Sequence, residues 1–226
     1  MVAVRHFSVF LLLCIVEHML QRPAIGEISD GFSGPSEPVT LVFYGPAQRE
    51  VKLAEEQKPA AQAINEQYRN SLKDLYAREL PDDQLRESVA RELERANAKI
   101  NDILTPQQRE RLKQIGLQIR EDVSKYSLTD ITLVNEALRD ELKLSNEQRL
   151  RMDQIGKETE QSRQQLRQEM RRLRFTGKKE QQEYIYKQIG QASFERLFNL
   201  LTPQQQEHYQ QLKGAKFDYP LDDLPL

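Results

Sequence analysis

The sequence predicts an all-α protein, built as extended helical hairpins or a thin helical bundle in two tandem pseudo-repeats. Three observations carry that expectation. Charged residues make up 30% of the chain and the hydrophobic set 38%, with no Trp; this polar balance suits helices with one narrow apolar face. Gln, Glu, Arg, Leu and Lys, all good helix formers, dominate. Apolar residues then recur at three- and four-residue steps along most of the chain.

The first segment has a different character. Arg5 and His6 precede an apolar run from Phe7 to Val16, and Ala24-Ile25-Gly26 supplies small residues beyond it. The run is shorter than the roughly 20 residues that cross a bilayer. Residues 1–26 are expected to be a signal peptide cut after Gly26, sending the chain to the periplasm or out of the cell. The cut would remove Cys14, the single cysteine. Residues 27–46 carry Gly31, Gly34, Pro35, Ser36, Pro38, Gly45 and Pro46 at close spacing. They are expected to form a flexible linker, with Val39–Tyr44 as extended coil.

Helical stripes follow in order. Ala61, Ile64, Tyr68, Leu72 and Leu75 mark one helix, which Pro81 ends. Leu85, Val89, Leu93, Ala96 and Ile100 mark the next, and Leu112, Ile115, Ile119, Val123 and Tyr126 a third. A short helix fits between Leu133 and Leu142. Met152, Ile155, Leu166, Met170 and Leu173 mark a long helix that Thr176-Gly177 interrupts. Ile185, Ile189, Ser193, Leu197 and Leu200 mark another, and the last lies near Tyr209 and Leu212.

The chain repeats itself. Glu50 to Gln57 matches Glu141 to Gln148 at five of eight positions, and Leu104-Thr105-Pro106-Gln107-Gln108 recurs unchanged as Leu201-Thr202-Pro203-Gln204-Gln205. Glu110 and Gln114 recur as Glu207 and Gln211. Repeats at matching order predict two halves, 47–127 and 128–216, with 217–226 as a C-terminal tail.

The repeated element has a mechanical meaning. Thr105 is placed as an N-cap, Pro106 as the first helical residue, and Gln108 three residues after the cap can reach back to the cap's N–H, completing a capping box. Thr202, Pro203 and Gln205 repeat this, and Ser145 with Gln148 repeats it without the Pro. Leu104, Leu144 and Leu201 precede the caps and can cover the first turn. Ala54 lacks the capping hydroxyl, so Gln57 is expected to lose its reciprocal partner.

Paired Leu-Thr-x-x-Gln motifs in a Cys-poor helical chain with an export signal resemble the LTxxQ-motif proteins of the Spy/CpxP type. The resemblance covers roughly 50–214. It implies a periplasmic protein of helical hairpins acting as an ATP-independent chaperone or as an inhibitory adaptor of an envelope-stress sensor. Members of that family carry two motifs in each protomer of a curved dimer. Each half of this chain carries two, which implies a fused pseudo-dimer, a monomer in solution, with a homo-oligomer as the other outcome. Ala54 and Ser145 depart from the family's Thr.

Two further features bear on binding. Arg163, Arg167, Arg171, Arg174 and Lys178 follow helical steps, and across 163–179 seven basic residues face Glu169 alone. With Met170 and Phe175 beside them, they form the expected client-binding face. Such a stripe suits acidic protein clients, an envelope protein or an anionic membrane surface. Its bland alternative is a solvated face balanced by Glu158, Glu160 and Glu180. Tyr184, Tyr186, Phe194 and Phe198 either extend an apolar client surface or serve as core.

Catalysis has no motif to stand on. No nucleophile pairs with a base, no Gly-rich phosphate loop occurs, and His208 alone, among the three histidines, lies outside the first 26 residues. No enzyme activity, cofactor or metal is expected. A net charge of −2 argues against a dedicated nucleic-acid binder. A non-catalytic structural, coiled-coil-like part of the cell envelope is the alternative to a chaperone or adaptor.

Overall fold

A computed structural model of the chain describes residues 36–126, 133, 135–172 and 179–219. The expected signal peptide, residues 27–35 of the linker, the Thr176-Gly177 interruption and the end of the tail lie outside them. Among the described residues the fold is all-α, with no strand. The helices are α1 (Pro38–Leu41), α2 (Gly45–Glu50), α3 (Gln57–Ala77), α4 (Asp82–Ile103), α5 (Pro106–Tyr126), α6 (Glu136–Glu141), α7 (Asn146–Arg172), α8 (Lys179–Phe198) and α9 (Pro203–Lys213).

The long helices follow the apolar stripes. Pro81 is the N-cap of α4, and Asp82 and Asp83 load its first turn with negative charge, which the helix dipole favours. α3 and α4 pair as a hairpin, burying Ala61, Tyr68 and Leu75 against Val89, Ala96 and Ile100. α7 and α8 form a second pair. Thr159 and Ser193 meet between them, hydroxyl to hydroxyl at 2.8 Å, and both are buried.

Two cores result. The first gathers Leu53, Ile100, Leu104, Leu112, Ile115 and Ile119. The second gathers Leu142, Leu144, Met152, Ile155, Leu197, Leu201 and Tyr209. α5 belongs to the first core, yet it also packs along α8 and α9. Gly190 permits that approach: a Cβ there would stand 2.5 Å from the Lys125 carbonyl oxygen.

One expectation, for the segment before residue 47, needs correction. Residues 36–46 are not linker or extended coil. Pro38 and Pro46 each open a short helix, where a missing N–H costs nothing. Val39, Leu41 and Val42 are fully buried in the first core. The N–H of Val39 donates to Asn97 Oδ1 at 3.0 Å, and Glu37 pairs with Arg120 at 3.0 Å, fixing the segment across α4 and α5. The C-terminal tail expected from residue 217 starts in contact with the core. Phe217 is buried in the same core and Tyr219 packs against it.

Candidate functional site

The repeated motifs come together in pairs. Helices α2 and α6 both end in a six-residue turn that satisfies their last carbonyls. Leu53 N–H donates to Gln48 O at 3.0 Å and Lys52 N–H to Arg49 O at 3.2 Å. Leu144 N–H donates to Arg139 O at 3.1 Å and Lys143 N–H to Asp140 O at 3.0 Å. Lys52 and Lys143 take the left-handed conformation this turn requires, at φ 51° and 53°. Each turn delivers a buried Leu, then a helix start, then a glutamine.

That glutamine meets the glutamine of a second motif farther along the chain. Gln57 Nε2 donates to Gln108 Oε1 at 2.9 Å, and Gln108 Nε2 returns a bond to Gln57 Oε1 at 3.0 Å. Gln148 and Gln205 exchange the same two bonds at 2.7 and 3.2 Å. Each Oε1 also accepts the N–H of its own cap residue: Ala54 at 2.8 Å, Thr105 at 2.9 Å, Ser145 at 3.0 Å and Thr202 at 2.9 Å. Each Nε2 also reaches a backbone carbonyl at the opposite motif. Gln57 reaches Ile103 O at 2.7 Å, Gln108 reaches Lys52 O at 3.1 Å, Gln148 reaches Leu200 O at 2.8 Å and Gln205 reaches Leu142 O at 3.2 Å. An amide offers two donors and accepts at two lone pairs, so all four side chains are fully satisfied. We call each pair a clasp.

The capping boxes form at Thr105, Ser145 and Thr202, whose hydroxyls accept from the N–H of Gln108, Gln148 and Gln205 at 3.3, 3.2 and 3.3 Å. At Ala54 only the hydroxyl's bond is missing. Gln57 keeps its bond to the Ala54 N–H, so the expected loss of its reciprocal partner is corrected to half a loss. Leu104, Leu144 and Leu201 are buried as expected, while Thr105, Pro106, Ser145, Thr202 and Pro203 are exposed. Sequence reasoning found the caps but not the clasps. The signal was present: a capping box uses one lone pair of the amide oxygen and leaves the NH2 to find other partners, and Gln stands at the same register in all four motifs.

The expected basic face is narrower than its spacing implies. Arg163 is buried, 2% exposed. It lies one turn after Thr159, which faces Ser193 of α8, so it shares the inward side of α7. Arg167 is partly buried and pairs with Glu160 at 2.6 Å. Met170 and Arg171 belong to α7, but their side chains lie outside the described residues, as do Arg174, Phe175 and Lys178 altogether. Phe194 and Phe198 are partly buried against the second core, stacked on each other at 6.0 Å and packed against Tyr209. Tyr184 is exposed, and the Tyr186 side chain lies outside the described residues.

A buried ionic knot ties α5 to α8 and α9. Glu121 accepts from Lys125 at 2.6 Å, from Tyr209 at 2.7 Å and from Lys213 at 2.7 Å. Lys125 lies over the Phe194 ring and Lys213 over the Tyr209 ring. Burial pushes the Glu121 carboxyl up, but the bonds from Lys125, Lys213 and Tyr209 outweigh it and hold the group below the ordinary carboxylate range. Burial, then the Glu121 charge, pushes the Tyr209 phenol up.

None of these arrangements holds a nucleophile beside a base. Among the described residues no three His, Cys, Asp or Glu side chains converge as metal ligands, and no helix is long and apolar enough to cross a membrane. The chain matches no protein-family model, no curated protein and no solved structure.

Proposed function

We propose that this chain is an exported, non-enzymatic helical binding protein of the Spy/CpxP kind, acting on envelope proteins as an ATP-independent chaperone or as an adaptor. The observation that carries the reading is the pair of clasps. The Leu-x-x-x-Gln motifs, which the chain shares with that family, join helix starts two by two, once in each half. Two such units in one chain favour a fused pseudo-dimer that stays monomeric. Clients would be drawn to the rest of the basic stripe, Arg171, Arg174 and Lys178 in the sequence.

The test is aggregation of a chemically denatured client diluted into the protein without ATP, at low and high salt. Suppression of scattering near equal molar ratio, weakened by salt and by R171E with R174E, is expected. Scattering unchanged under both conditions would refute the chaperone function. The second reading, a structural envelope component, draws on the burial of Arg163 and the pairing of Arg167, which shrink the face left for clients. It expects no suppression and no effect of the charge reversal.

A further inference from the structure

We propose that the seat of residues 215–219 is a recognition groove for an extended peptide bearing two aromatic side chains two residues apart, filled here by the chain's own C-terminal segment. This rests on the client-binding reading above and gives it a ligand class.

The segment is held as a bound peptide is held, by side chains reading its backbone. Gln118 of α5 donates from Nε2 to the carbonyls of Lys213 at 2.7 Å and Ala215 at 2.9 Å, and its Oε1 accepts the Phe217 N–H at 2.8 Å. Arg111 donates to the Ala215 carbonyl at 2.8 Å and is itself braced by Glu50 at 2.6 Å. No helix or strand includes this stretch.

Its side chains alternate in the manner of a strand. Phe217 and Tyr219 point inward, stacked at 5.1 Å, and the Tyr44 ring meets both edge-on at 6.4 and 6.5 Å. Tyr219 donates its hydroxyl to Asp122 at 2.9 Å. Lys216 and Asp218 point outward, 85% and 83% exposed, and pair with each other. The groove therefore reads a backbone and two alternate rings and is indifferent to the residue between them. Unfolded chains expose such segments, and folded ones bury them.

The segment is also set apart from the helix that carries it. Gly214 breaks α9 at φ 62° and ψ −155°, a conformation reserved for glycine, and a Cβ there would stand 2.2 Å from the Gln114 amide. Chain direction changes at that one residue, so the five that follow can leave the groove without disturbing α9.

The test uses the full-length chain with Phe217→Ala and Tyr219→Ala, which empties the seat, and a labelled pentapeptide Ala-Lys-Phe-Asp-Tyr added in trans. Saturable binding is expected, about tenfold or more tighter than to the unaltered chain, where the tethered segment competes. Replacing the peptide's rings with Ala, or Gln118 of the protein with Ala, should abolish it. In the unaltered chain, excess peptide should speed hydrogen exchange at the Phe217 amide, which Gln118 otherwise protects. A folded double variant that ignores the peptide overturns the proposal. Should circular dichroism show that variant unfolded, an unchanged Phe217 exchange rate at saturating peptide overturns it instead. Peptide binding without client suppression would keep the groove and discard the chaperone function; suppression without peptide binding would do the reverse.

Discussion

The clasp of Gln57 with Gln108 and the clasp of Gln148 with Gln205 use the same bonds, but they are capped differently. In the second, Ser145 and Thr202 both supply hydroxyls. In the first, Thr105 does and Ala54 does not, and the amide geometry is unchanged. The hydroxyl is thus an addition to the clasp and not a condition for it. The two cores differ in their covers too. The first core is sealed by α1, α2 and the 215–219 segment, whereas the second leans on α5 through Gly190 and the Glu121 knot.

The largest effect expected is from Gln108→Ala and Gln205→Ala. Each removes a cap bond and strands the partner amide and a carbonyl, costing about 2–3 kcal/mol in chemical denaturation. A loss for one of the two variants only would break the equivalence of the clasps. Next is Gly190→Ala, which places a methyl against the backbone of α5 and should cost about 1–3 kcal/mol. Hydrogen exchange should locate the loosening in the second core and at the end of α5, leaving the α3–α4 hairpin protected.

Caps come third. Thr105→Ala, Ser145→Ala and Thr202→Ala should each cost about 1 kcal/mol. Ala54→Ser should return about 0.5–1 kcal/mol by completing the fourth box, raising the denaturation midpoint. A destabilised Ala54→Ser would show that the first clasp excludes the hydroxyl. The smallest effect is on the acid limb of stability. Glu121 is held below its unfolded-state value, so its contribution is present above that value and is lost as pH falls through the lowered folded one. Glu121→Gln should flatten that limb in pH-dependent melting, and an unchanged limb would remove the knot from the account.

The long helices were legible because each keeps an apolar stripe at helical period, and Pro81, Pro106 and Pro203 mark boundaries that chemistry enforces. Residues 36–46 were not legible, since Pro and Gly punctuate linkers and short helix starts alike. Phe217 and Tyr219 were hidden by the polar residues alternating with them in too short a run. Arg163 was misread because spacing groups it with Arg167 without saying which side of α7 meets α8. The clasps escaped because a capping box explains each glutamine locally, and the remaining donors and acceptor find their partners 46 to 63 residues away.

The most direct measurement is a set of double-mutant cycles on the four glutamines, each changed to Ala singly and in pairs. Coupling of about 1 kcal/mol or more is expected for Gln57 with Gln108 and for Gln148 with Gln205, and additivity for Gln57 with Gln205, which share no bond. Additive losses within both pairs would contradict the clasp and leave the repeated motif as four separate helix caps.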